Sequence, residues 1–164
     1  MNIILTAEPF LISFNLVEKV KSSKDTDIYK FSFFFSHYCN EDIKFVLPER
    51  FQVYLYSSDI IRLIKVLTEK VEQLTRSTNK EDVDIKFERN CFVSYEHDIE
   101  IIVDTGEYYP EFNKGVLELL ILFNINVAYK ESGSSMIGLR ERVDLNSLNK
   151  FIEYLKGLND VLYS

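Results

Sequence analysis

The sequence predicts an α+β fold: a mostly antiparallel, curved β-sheet with two amphipathic helices, one mid-chain and one C-terminal. Several segments alternate apolar and polar residues with period two, and two others carry apolar residues at helical spacing. Their order (strands, helix, strands, helix) differs from the regular strand–helix alternation of a doubly wound fold. The 13 Phe and 10 Tyr add to this, because aromatic side chains favour the half-buried surface of a sheet. A chain of 164 residues with 46% hydrophobic residues can bury one core, so a single domain over 1–164 is expected.

The elements follow in order. "MNIILTAEPFLISF" is apolar but has no basic leader and is interrupted by Glu8 and Pro9, so it reads as strand and not as a signal peptide. From Phe10 to Leu16 the even positions are apolar, which makes a strand with one buried face. "IYKFSFFFSHYC" puts Tyr29, Phe31, Phe33 and Phe35 on one face, as a hairpin partner for that strand. "RFQVYLY" repeats the pattern, with Tyr54 and Tyr56 opposite Phe51, Val53 and Leu55. In "SSDIIRLIKVLTEKVEQL" the period changes, and Ile60, Ile64, Leu67, Val71 and Leu74 form a helical stripe. Ser57 or Ser58 can cap its first turn, where Asp59 meets the positive end of the dipole.

Three short strands are expected next, at Val83 to Glu88, Cys91 to Tyr95 and Ile99 to Val103. Turns at Arg89-Asn90 and around His97-Asp98 separate them. "TGEYYPEFNKG" reads as a loop by its Gly and Pro content. "VLELLILFNINVAYK" fits a buried helix or a buried strand; the alternation of Phe123, Ile125, Val127 and Tyr129 with Asn124 and Asn126 favours strand. "ESGSS" is a turn, and "MIGLRERV" is a strand with Arg140 and Arg142 on one face. Asp144 caps a closing helix with a stripe of Leu145, Leu148, Ile152 and Leu155, helped by Phe151.

The net charge of −7 opposes direct nucleic-acid binding, which depends on Lys and Arg releasing counterions, and instead suits a basic protein partner. Two cysteines are too few for a disulfide framework, so a reduced cytoplasmic setting is expected. The apolar run Leu119 to Phe123 falls far short of the roughly 20 residues of a membrane helix. The five glycines form neither a phosphate loop nor a dinucleotide fingerprint, and no nucleophile elbow occurs. No cofactor is expected.

One segment stands apart. "YEHDIEIIVDTGEYYPE", residues 95 to 111, holds Glu96, Asp98, Glu100, Asp104, Glu107 and Glu111 with no Lys or Arg among them. In an extended chain Glu96, Asp98, Glu100 and Asp104 share a face opposite Ile99, Ile101 and Val103. Such a row fits a solvated sheet face, relieved by bases such as Lys86, Arg140 or Arg142 if these lie opposite. It also fits a docking surface for a basic partner, completed by Tyr108 and Tyr109. An acid/base pair would need one carboxyl raised by burial or a like charge in a cleft. The soft metal ligands His37, Cys39, Cys91 and His97 could in principle hold zinc, but their spacing is not that of close ligands, and the cysteines read more simply as small buried hydrophobes.

Two stretches carry a family resemblance. "FQVYLYSSDIIRLIKVLTEKVEQL" resembles the strand, polar cap and amphipathic helix found mid-chain in WapI-type immunity proteins, small bacterial antitoxins encoded beside polymorphic toxins. "GLRERVDLNSLNKFIEYLKGL" is similar to their closing strand and C-terminal helix. Together they cover less than a third of the chain. The resemblance implies a non-enzymatic cytoplasmic protein that binds and blocks a toxin domain. The expected function is therefore an immunity protein that neutralises a basic toxin domain through Glu96, Asp98, Glu100, Asp104, Glu107, Tyr108, Tyr109 and Glu111. A self-associating structural or regulatory protein of a phage or mobile element, or a small metal-dependent enzyme, are the alternatives.

Overall fold

The computed structural model describes residues 2–8, 10–21, 27–37, 44–46, 52–76, 84–125 and 135–160. In chain order they form β1 (Asn2–Glu8), β2 (Phe10–Lys21), β3 (Asp27–His37), β4 (Lys44–Val46), β5 (Val53–Tyr56) and α1 (Ser57–Arg76). Then follow β6 (Asp84–Val93), β7 (Ile99–Tyr109), a single 3-10 turn (Pro110–Phe112), β8 (Lys114–Asn124), β9 (Met136–Asp144) and α2 (Leu145–Asp160). All pairing among them is antiparallel, in the order β4-β3-β2-β1-β9-β8-β7-β6, with β5 beside β4 on the outer edge of β3. This is the expected α+β fold with two helices. The halves β1–β5 and β6–β9 meet along β1 and β9 through only two residue pairs, Ala7 with Val143 and Glu8 with Arg142.

The sheet is strongly curved. Four strand spacings separate β3 from β8, about 19 Å in a flat sheet, yet the rings of Phe33 and Phe123 are 4.7 Å apart. The two halves thus face each other across one continuous core. Bulges between Leu16 and Glu18, Lys86 and Asn90, and Val103 and Gly106 supply local bends. Helix α1 packs on β3 and β5 from one end of the strand order and on β6 and β7 from the other, filling the gap between them. Helix α2 lies against β1, β8, β9 and α1, with the Phe151 ring 4.6 Å from that of Phe14 at a tilt of 40°.

The helical stripes behave as expected: Ile60, Leu67 and Leu74 in α1, and Leu145, Leu148, Phe151, Ile152 and Leu155 in α2, are buried, while Ile64 and Val71 are half-buried. Asp144 caps α2, its Oδ1 accepting the Ser147 N–H at 2.9 Å. In α1 the reach-back falls to Asp59, which accepts the Tyr56 N–H at 3.1 Å in the manner of the acidic half of a capping box. On β2 and β3, Ile12, Phe14, Tyr29, Phe31 and Phe33 are buried as their alternation requires. Phe51, Cys39, Val127, Tyr129 and the turn at 131–134 lie outside the described residues. No helix among the described residues is long and apolar enough to cross a membrane.

Two expectations are corrected. Arg89-Asn90 is not a turn: β6 runs unbroken through it, and the irregularity is absorbed as a bulge. Residues 105–109 are not a loop either, because β7 continues to Tyr109 and the reversal takes only Pro110 to Asn113. The glycine that suggested a loop, Gly106, sits inward at the β7 bulge, where an added Cβ would lie 2.7 Å from Leu117 Cδ2 and 2.9 Å from Leu74 Cδ1.

Two other glycines give opposite expectations. A Cβ on Gly157, exposed on α2, meets no atom within 4 Å. Gly157→Ala should therefore stabilise the fold by about 1 kcal/mol through helix propensity. A Cβ on Gly138 would run into the Ile121 carbonyl oxygen of β8, which cannot move without opening the β8–β9 ladder. Gly138→Ala should cost about 1–3 kcal/mol although the residue is exposed. Urea unfolding midpoints of the two variants check both signs.

Candidate functional site

Strand β7 is about 33 Å long at 3.3 Å per residue, so residues 96–111 span the sheet and form three separate neighbourhoods. In the middle, the outward acids meet arginines of β9. Arg140 Nη1 bridges Asp104 Oδ2 at 3.0 Å and Glu118 Oε1 at 2.8 Å. Glu100, half-buried, has no ion pair among the described residues.

At the Pro110 end, Arg142 Nη2 lies 2.7 Å from Glu107 Oε2, which also accepts the Tyr109 hydroxyl at 2.7 Å. That phenol, with Arg142, holds the Glu107 carboxyl below its usual range. Tyr108 donates to Asn113 Oδ1 at 3.0 Å, and Asn113 takes the left-handed conformation that closes the turn. Glu111 and Phe112 are exposed. The row expected to be uncompensated is thus neutralised at Asp104 and Glu107 by the arginines proposed for that task.

The other end differs. Between β6 and β7, the turn is closed by Ser94: its carbonyl accepts the His97 N–H at 2.9 Å, and its Oγ accepts the N–H groups of Asp98 at 2.9 Å and Ile99 at 3.2 Å. His97 is left-handed at φ 58°. This geometry turns Asp98 inward, which corrects its placement on a shared outward face with Glu96, Glu100 and Asp104. Asp98 is 3% exposed, and its Oδ2 accepts the Tyr54 N–H on the open edge of β5 at 3.1 Å. Burial pushes its carboxyl up to about 6, helped by the charges of Glu96 and Asp59 and opposed by the Tyr54 N–H and His97.

Asp59 is fully buried and joins the same two regions. Its Oδ2 takes the Tyr56 N–H, and its Oδ1 takes the Tyr95 N–H at 3.1 Å and Arg62 Nη2 at 2.6 Å. Arg62 also donates to the Val93 carbonyl at 2.7 Å and lies over the Phe92 ring. The two buried carboxylates therefore tie β5 and the start of α1 to the β6–β7 turn, closing the curved sheet on itself. Outside this lock, Tyr95 is 73% exposed. Its ring meets that of Tyr56 edge-on at 5.6 Å and 82°. The Tyr56 hydroxyl donates to Glu96 Oε1 at 2.7 Å, and that carboxylate raises the phenol's pKa.

Of the expected site residues, Glu96 belongs to this corner and Asp98 to its buried support. Asp104, Glu107, Tyr108 and Tyr109 are occupied by internal contacts, and Glu100 and Glu111 stand apart. Tyr56, Tyr95 and Asp59 were missed as a unit. The one local signal was Asp59, three residues after Tyr56, at the spacing of a capping box.

No group of three or more His, Cys, Asp or Glu side chains placed to hold a metal occurs among the described residues. Cys91 is exposed on β6 instead of buried, because its neighbour Phe92 takes the inward position. The chain matches no protein-family model, and no curated protein is significantly similar to it.

Proposed function

We propose that this chain is a non-enzymatic binding protein that docks a basic protein partner on the acidic, tyrosine-bearing corner where the curved sheet closes. We further propose that the partner is a toxin domain which it neutralises as an immunity protein. One observation carries the docking reading: two buried carboxylates, Asp59 and Asp98, hold an exposed tyrosine and an exposed glutamate in a left-handed turn. Burying charge is costly, so the rigidity it provides suits a surface that must be presented in one shape. The net charge of −7 would speed encounter with a basic partner, and the resemblance to WapI-type immunity proteins supplies the toxin.

Asp98, with its raised carboxyl, also invites an acid/base reading. Its oxygen is committed to the Tyr54 backbone and nearly sealed from solvent, so it serves the fold and not a substrate.

The test co-expresses the protein with candidate basic toxin domains, measuring growth rescue and stopped-flow association. Glu96→Gln should slow association and flatten its salt dependence, whereas Asp104→Asn with Glu107→Gln should change it less, since those acids are already neutralised by Arg140 and Arg142. An equal effect of the Glu96 variant and the Asp104/Glu107 pair would remove the corner from the interface. Failure to bind or rescue would end the immunity reading.

A further inference from the structure

We propose that the Tyr56–Tyr95–Glu96 corner receives one arginine side chain of the partner. The proposal rests on the binding-protein reading and adds the chemistry that the corner recognises. Two phenol rings meet nearly at right angles, 5.6 Å between centroids, which leaves aromatic surface facing solvent. Beside them stands a carboxylate with one oxygen held by the Tyr56 hydroxyl and no ion pair among the described residues. Ring faces attract cations, and a carboxylate at their edge supplies the charge-assisted hydrogen bond.

Of the cations described beside the corner, Arg62 and Lys30 are already engaged. Arg62 is held by Asp59 and the Val93 carbonyl, and Lys30 lies over the Tyr54 ring and near Glu18. The corner's own charges, Glu96 with Asp59 and Asp98 behind it against Arg62, leave it acidic. A guanidinium fits better than an ammonium, because it is planar, stacks on an open ring and is weakly hydrated, and Tyr95 offers a largely open ring. Asp59 is the positioning residue, since its two oxygens set the backbones of Tyr56 and Tyr95 relative to each other.

The experiment titrates the isotope-labelled protein at pH 7 with blocked Gly-Arg-Gly, Gly-Lys-Gly and Gly-citrulline-Gly peptides, following the amide resonances of Tyr56, Tyr95 and Glu96 and the ring resonances of the two tyrosines. The arginine peptide should give saturable shifts at millimolar concentration confined to these residues. The lysine peptide should bind more weakly, and the uncharged citrulline peptide should give no saturable shift. Tyr95→Ala and Glu96→Gln, both outside the core, should each weaken the arginine peptide by about fivefold or more. Absence of shifts, equal shifts with citrulline, lysine binding as tightly as arginine, or unchanged binding by both variants would overturn the proposal. If the peptides fail while the toxin domain binds, the corner assignment falls and the immunity reading stands; the opposite pattern leaves the arginine site and removes the toxin.

Discussion

Asp98→Asn is expected to make the protein about 2 kcal/mol more stable at pH 8. An Asn oxygen can accept the same Tyr54 N–H without placing a charge in a site that is 3% exposed. Raising a carboxyl from 3.8 to about 6 costs the ionised state about 3 kcal/mol, and an amide N–H left without a partner returns about 1 kcal/mol of that. The sign follows from proton binding. The folded state holds this proton more tightly than the unfolded chain, so above pH 6 ionised Asp98 weakens the fold. The penalty fades as pH falls from about 6 toward 3.8. Urea unfolding of both proteins between pH 4 and 8 should show the advantage of the variant shrinking across that window. A difference independent of pH would show that Asp98 is not buried as an ionised group at neutral pH. Comparing the two proteins isolates this group from Glu107, whose lowered pKa acts in the opposite direction.

Asp59→Ala should act oppositely, with a loss of about 2–4 kcal/mol, because removing the buried carboxylate leaves two backbone N–H groups without their acceptor, while the half-exposed Arg62 can turn to water. The N–H groups of Tyr56 and Tyr95 lose their acceptor, and Arg62 loses its carboxylate. Asp59→Asn keeps an acceptor for one of the two N–H groups and should cost less. Amide exchange at Tyr95 should accelerate in both variants before global unfolding does, since the lock between α1 and the turn opens first. A loss below about 1 kcal/mol for the alanine variant would mean that Asp59 does not close the sheet.

The two predictions have opposite signs for one reason. Asp59 has a guanidinium beside it, whereas Asp98 is held by a single N–H and faces other carboxylates. Type and burial are nearly the same, and the partner decides.

Much of the fold was legible in the sequence because its signals are local. The stripes of α1 and α2, the Asp144 cap and the alternation of Phe and Tyr on β2 and β3 each involve residues within a few positions of one another, and each recurs in the structure. Where a local signal was ambiguous, tertiary packing overrode it. Gly106 suggested a loop, but it marks a bulge whose missing side chain lets Leu74 of α1 approach β7. Arg89-Asn90 suggested a turn, but pairing with β7 carries β6 straight through. The acids of residues 96–111 were legible as a group, yet their partners were not: Arg140 and Arg142 reach them only because β9 pairs with β8 beside β7.

By itself the sequence determined the two helices and most of the strands, the acidic balance and the presence of carboxylates and tyrosines along one stretch. Only the tertiary structure decided which of them meet. Tyr54 and Asp98 are 44 residues apart, and Asp59 and Tyr95 are 36 apart; β5 with the start of α1, and the β6–β7 turn, belong to opposite ends of the strand order and touch because the sheet curves through its whole width. Curvature of that kind sums many small twists and bulges. No single segment encodes it, so the closure, and the corner it creates, appears only when the chain is folded.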